Sequence, residues 1–74
     1  MRLPALKARE VIRVLEQLGF RLHHSTGSHS IYKNAATGRR AVIPFHGSRD
    51  LNVNVLRSIL KQANIDEDEF LKLL

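Results

Sequence analysis

Four histidines, His23, His24, His29 and His46, are the side chains of this 74-residue chain best suited to move protons near neutral pH. An unperturbed imidazole titrates at about 6.5. The rest of the chain narrows what such a group could do. There is no cysteine, which excludes thiolate nucleophiles, disulfides and cysteine-based zinc sites. It also fits a reducing, cytoplasmic setting. Zinc held by imidazoles alone needs three or four converging ligands. No HxH or HxxxH spacing is present. His23 and His24 are neighbours on an expected strand, where successive side chains face opposite ways, so no metal site is expected. Two-metal chemistry needs clustered carboxylates, and Asp50 is the one acid between the two main helices. Ser28 or Ser48 could be combined with His29 and Asp50 as a triad, but neither the spacing nor a nucleophile elbow supports it.

Charge points to the substrate class. Lys and Arg number 12 against 7 Asp and Glu, a net +5. Residues 1–65 carry eleven of those cations and only Glu10, Glu16 and Asp50, a net +8, whereas residues 66–74 carry a net −3. A body of +8 attracts polyanions, with phosphate as the contacted group. RNA brings its own nucleophile, the 2′-hydroxyl. Its cleavage then needs a base, an acid and positive charge on the phosphorane, which are roles for histidine, lysine and arginine. No cofactor is required for this chemistry.

The stretch Gly27-Ser28-His29 is the best-placed candidate. A residue without Cβ lets a phosphate approach backbone N–H groups, and Ser28 and His29 follow directly. If the second and third strands pair antiparallel, His29 and His46 lie at one end of the sheet. They could be an acid–base pair, or one catalyst and one phosphate contact. Arg57 and Lys61 stand at i, i+4 on the last long helix, where like charges cost a few tenths of a kcal/mol that an incoming phosphate would remove. Arg21, Arg40 and Tyr32 are expected to share the outer face of the sheet. Each residue also has an ordinary use: a turn glycine, a strand-end histidine, a solvated helix face. A non-catalytic double-stranded-RNA-binding module remains the competing reading. A third is a subunit whose only role is to bind a protein partner.

The elements that position these groups follow from periodicity. Residues 6–18, LKAREVIRVLEQL, repeat apolar side chains at helical spacing, and Gly19 supplies a left-handed stop. Three strands are expected, at 20–25, 29–34 and 39–45, separated by Ser25–Ser28 and Ala35–Gly38 turns. In the first strand, Phe20, Leu22 and His24 are expected on one side, Arg21 and His23 on the other. Pro44 marks an edge or a strand end. A second helix is expected near residues 53–62, capped by Asn52 or Asn54, burying Leu56, Ile59, Leu60 and Ala63 and stopping at Asn64. Asp66 and Glu69 form a capping-box-like start for a short last helix with Phe70, Leu71 and Leu74. The chain is thus one α+β domain over residues 1–74, α-β-β-β-α plus a short helix. Its antiparallel meander is covered by both helices on one face, because so small a chain supplies a single apolar layer. No apolar run approaches the ~18 residues of a membrane span.

Four blocks resemble the HicA family of toxins from toxin–antitoxin pairs. They are L-G-F at Leu18–Phe20, G-S-H-x-I-Y at Gly27–Tyr32, I-P-F-H at Ile43–His46 and L-R-S-I-L-K-Q-A at Leu56–Ala63. The chain departs at the entry of the last block, where Asn54-Val55-Leu56 replaces the G-T-L of many members. The resemblance implies a fold similar to a double-stranded-RNA-binding domain. It implies a metal-independent mRNA interferase with His29 as the signature histidine and Gly27 as the signature glycine. It also implies a HicB-like antitoxin that covers the active site.

Overall fold

A computed structural model describes residues 3–45 and 49–74. Along the chain run α1 (Ala8–Gln17), β1 (Phe20–Ser25), β2 (His29–Asn34), β3 (Arg40–Pro44), α2 (Val53–Ala63) and α3 (Glu67–Leu73). The strands form one antiparallel sheet in the order β1-β2-β3, and the helices pack on one face of it, giving a fold like that of a double-stranded-RNA-binding domain.

The helix ends follow from local chemistry, with some departures from expectation. α1 starts at Ala8 rather than Leu6, because Leu6 and Lys7 are engaged elsewhere. The Leu6 carbonyl accepts from Leu51 N–H at 2.7 Å, and Lys7 bridges to Asp50 through backbone and side chain, with Nζ to Oδ1 at 3.1 Å. Lys7 then serves as the extended N-cap residue, and the Glu10 carboxylate accepts from its N–H at 3.0 Å. α2 is capped by Asn52, whose side chain accepts from Asn54 N–H at 2.8 Å. It ends where Asn64 turns left-handed at φ 58°, and Ile65 N–H reaches back to the Leu60 carbonyl at 2.9 Å. α3 begins without the anticipated capping box: Asp66 stands at the N-cap position, but its side chain makes no capping bond. Three acids in its first turn suit the positive end of the helix dipole, and Phe70 is driven fully into the core.

The register decides which residues are available for function. Ser30, Tyr32 and Asn34 turn inward from β2, while His29, Ile31 and Lys33 face out. Two expectations fail here. Tyr32 is not on the outer face. It is 7% exposed, between Leu22 and Ala41 of the neighbouring strands. Burial, and secondarily the charge of Glu16, raises its pKa above the ordinary 10.0. Nor do Leu22 and His24 share a face. A β-bulge between them places two β1 residues against one of β2, so Leu22 pairs with Tyr32 and His24 with Ile31. β3 is one residue shorter at each end than expected, although pairing persists: the Arg39 carbonyl accepts from Asn34 N–H and the Ser28 carbonyl from Phe45 N–H, both at 2.8 Å.

Val11, Val14 and Leu15 of α1, Ile43 of β3, Leu56, Ile59 and Leu60 of α2 and Phe70 of α3 form the centre of the core. The buried polar side chain among the described residues, Asn34, is fully partnered. Its Nδ2 donates to the Leu18 carbonyl at 3.0 Å, and its Oδ1 accepts from Ala36 and Thr37 N–H at 2.9 and 3.2 Å. One side chain thus ties the end of α1 to the β2–β3 turn, whose Gly38 takes φ 76°.

Candidate functional site

The β1–β2 turn is built by reciprocal bonds between Thr26 and His29. Thr26 N–H donates to the His29 carbonyl at 2.8 Å, and His29 N–H donates to Thr26 Oγ1 at 3.3 Å. Gly27 and Ser28 are left at the tip, and their N–H groups have no acceptor among the described residues. Adjacent backbone donors of this kind suit an anion. Gly27 does not take a positive φ, and a Cβ built on it would meet nothing within 4 Å. Neither backbone torsion nor packing among the described residues therefore requires glycine at this position.

His29 opens β2 with its ring exposed, and its Nδ1 lies 3.0 Å from Ser28 Oγ. If the hydroxyl donates, the ring is neutral with its proton on Nε2; if Nδ1–H donates, Nε2 is the base of the neutral ring or, in the imidazolium, carries the proton that makes it an acid. Either way the contact restrains the ring and leaves Nε2 to a ligand.

The end of β3 lies beside this turn, as the sequence suggested. Pro44 is the cross-strand partner of His29, and Phe45, half exposed, is bonded through its N–H to Ser28. His46 follows in the chain but lies outside the described residues. Pro44 also lines a cavity of about 220 Å³ with Arg49, Asp50, Asn52 and Val55, at the entrance to α2. Arg49 is a cation on this cavity that sequence reasoning passed over. It sits in a loop without periodicity, and only the Lys7–Asp50 and Leu6–Leu51 contacts that draw this loop toward α1 could have revealed it.

The other sequence candidates are more dispersed. Arg57 is not a free cation awaiting phosphate: its Nε lies 3.5 Å from a Glu67 carboxylate oxygen, which offsets the repulsion expected from Lys61. Lys61 is exposed on α2, and Gln62 beside it turns its Oε1 to accept from Val42 N–H at 3.1 Å, occupying part of the β3 edge. Arg40 faces outward across from Lys33. Among the described residues no group of three His, Asp or Glu side chains is arranged to hold a metal ion.

Comparison with protein families adds the deciding observation: the model of the family described as HicA toxin of bacterial toxin-antitoxin matches residues 8–65, from α1 to the end of α2. The chain belongs to the HicA toxin family. The matched range contains the Gly27-Ser28-His29 turn and ends just before α3. Membership places the chain in a toxin–antitoxin system and implies an antitoxin partner. Among curated proteins none matches the chain. None of the described helices is long and apolar enough to cross a membrane.

Proposed function

We propose that this HicA-family chain is a metal-independent endoribonuclease acting on mRNA, with His29 transferring protons at the scissile linkage. The observation that carries the reading is the turn itself. An exposed imidazole with its Nδ1 held by Ser28 adjoins two backbone N–H groups with no acceptor among the described residues. In the reaction, a base removes the 2′-hydroxyl proton and the resulting oxygen attacks phosphorus. The bond to the 5′-oxygen breaks, and that oxygen takes a proton from an acid. The products are a 2′,3′-cyclic phosphate and a 5′-hydroxyl, with no net gain or loss of protons. His29 serves one of the two transfers. The Gly27 and Ser28 N–H groups donate to a non-bridging oxygen whose charge grows in the transition state, and fixed donors of this kind contribute strongly to catalysis. Arg49, across the neighbouring cavity, supplies positive charge; Lys61 and His46 are further phosphate contacts, and Arg57 joins them on release from Glu67. A HicB-like antitoxin acting in the cytoplasm would silence the enzyme by covering this turn.

The test is RNA cleavage by the wild type and by His29→Ala, with EDTA present. Wild-type cleavage that persists in EDTA and falls at least a hundredfold in the variant is expected. Undiminished cleavage by His29→Ala would falsify the assignment. Tight duplex binding without cleavage by the wild type would replace it with a non-catalytic RNA-binding module.

A further inference from the structure

The outer face of the sheet carries a feature that the chemistry at the turn does not use. The register sets Arg21 opposite Lys33 and Lys33 opposite Arg40, one cation from each strand in a single row. Like charges directly opposite one another destabilise a sheet. Among the described residues the salt bridges are Lys7–Asp50 and Arg57–Glu67, so no acid neutralises the row. Arg21 is partly tethered, its guanidinium donating to the carbonyls of Glu16 and Phe20 at 3.0 and 2.7 Å. Lys33 and Arg40 have exposed side chains with no such bond among the described residues.

Beside the row lies an open groove of about 480 Å³, lined by Arg21, His23 and Lys33 with Ala35 and Gly38. His23 is the extra residue of the β1 bulge, and bulges commonly re-aim a side chain. Cationic and imidazole groups therefore border one concave surface with small residues beside them. A Cβ added at Gly38 would meet nothing within 4 Å, so the surface is open there as well.

His29 and Lys33 both face outward from β2. Lys33 follows His29 by four positions, about 13 Å at ~3.3 Å per residue. That distance corresponds to at most about four nucleotides at the ~3.4 Å rise of a stacked strand, and fewer when the strand is extended. We infer that the groove and the Lys33–Arg40 pair form a remote subsite for backbone phosphates of the same RNA strand whose scissile bond lies at His29. The shared strand and shared face favour RNA over an acidic protein as occupant. This inference rests on the reading of the protein as an RNA-acting enzyme, but its test does not require cleavage.

The probe is a 2′-O-methyl RNA dodecamer, which lacks the nucleophile, with binding followed by fluorescence anisotropy over a salt series. Lys33→Gln/Arg40→Gln removes two cations from the row. Arg9→Gln/Arg13→Gln removes the same charge from the exposed face of α1 and serves as the control. Loss of two single-strand phosphate contacts lowers the salt slope by about 1.4 and weakens binding about 25-fold at 0.1 M salt. The control should lose far less. On a dodecamer with methylphosphonate linkages at all but one central phosphate, the first double variant and the wild type should bind alike. Equal losses in the two double variants would reduce the effect to net charge and overturn the subsite. So would unchanged affinity of the Lys33→Gln/Arg40→Gln protein, which would direct attention to an acidic protein partner. Failure of the nuclease reading would appear separately, in the His29→Ala cleavage assay.

Discussion

Asn34→Ala tests the clamp that holds the sheet to α1. The side chain makes three hydrogen bonds, at 2.9, 3.0 and 3.2 Å, and only 6% of the residue is exposed. A typical net value of about 1 kcal/mol per bond gives ~3 kcal/mol as a first figure. Ala36 and Thr37 lie in an exposed turn, where water can replace the lost acceptor, so their two bonds fall to about 0.5 kcal/mol each. The Leu18 carbonyl is half-buried at the end of α1 and loses a donor with less access to water, about 1 to 1.5 kcal/mol. The expected cost is therefore roughly 2 kcal/mol, or a fall in Tm of about 8–16 °C for a domain of this size. Thermal unfolding followed by circular dichroism measures it. Asn34→Asp sharpens the test: it keeps both acceptor bonds but sets a carboxylate against the Leu18 carbonyl, and should cost at least as much at neutral pH. A Tm within about 3 °C of wild type for either variant would show that the turn and the helix end do not depend on this residue.

Four further outcomes follow from the same structure. Gly27→Ala should leave the Tm unchanged or slightly higher, since an added Cβ meets nothing and the unfolded chain loses freedom worth about 0.4–1 kcal/mol; its RNA cleavage should fall at least tenfold, and full activity would show that the tip does not receive phosphate. Phe70→Ala, which empties a fully buried site on α3, should cost about 3–5 kcal/mol in chemical denaturation, despite lying beyond the range matched by the family model. Stability should decline as pH rises above 10.0, because the unfolded chain releases the Tyr32 proton there while the folded chain, with its raised pKa, still holds it; denaturation midpoints at pH 9 and 11 should converge more closely in Tyr32→Phe than in wild type, and identical slopes would contradict the burial argument. Arg57→Gln should change stability by less than about 1 kcal/mol, since its partner Glu67 is an exposed surface contact.

Much of this architecture was visible in residue spacing, and the failures have identifiable causes. Helical periodicity located the buried stripe of α2, while Asn52 and Asn64 marked its ends because their side chains and left-handed tolerance do specific work there. Gly19 and Gly38 take the positive φ that their turns require. Alternation misled at β1 because a bulge needs no distinctive residue, only an extra one, and every assignment beyond it changes face. Alternation and residue type set Tyr32 on the outer face, whereas the central strand of this small sheet turns its largest side chain toward the helices. Asn34 reads in the sequence only as the last residue of the second strand. Its fit beneath the end of α1 joins residues sixteen positions apart, which local patterns do not encode. At the candidate site, residue types alone singled out Gly27, Ser28 and His29. The two N–H groups without an acceptor among the described residues and the Ser28–His29 contact required coordinates.

The two sides of β2 link stability and function through one register. Its inward residues, Ser30, Tyr32 and Asn34, meet the core and the α1 end, while its outward residues, His29, Ile31 and Lys33, lie on the face that carries the proposed chemistry. A slip of one residue would exchange the two sets, burying Lys33 and the imidazole and exposing Tyr32. Burying an unpaired ammonium is far more costly than losing one ladder bond, so Lys33 itself resists the exchange. Asn34 fixes the strand at one end by three bonds, and the Phe45–Ser28 bond fixes it at the other. Those anchors leave the His29 end free of burial without leaving its position undefined. A mutation that loosens either anchor should therefore reduce cleavage before it unfolds the chain, whereas Phe70→Ala, acting on α3, should reduce activity only in proportion to the folded fraction.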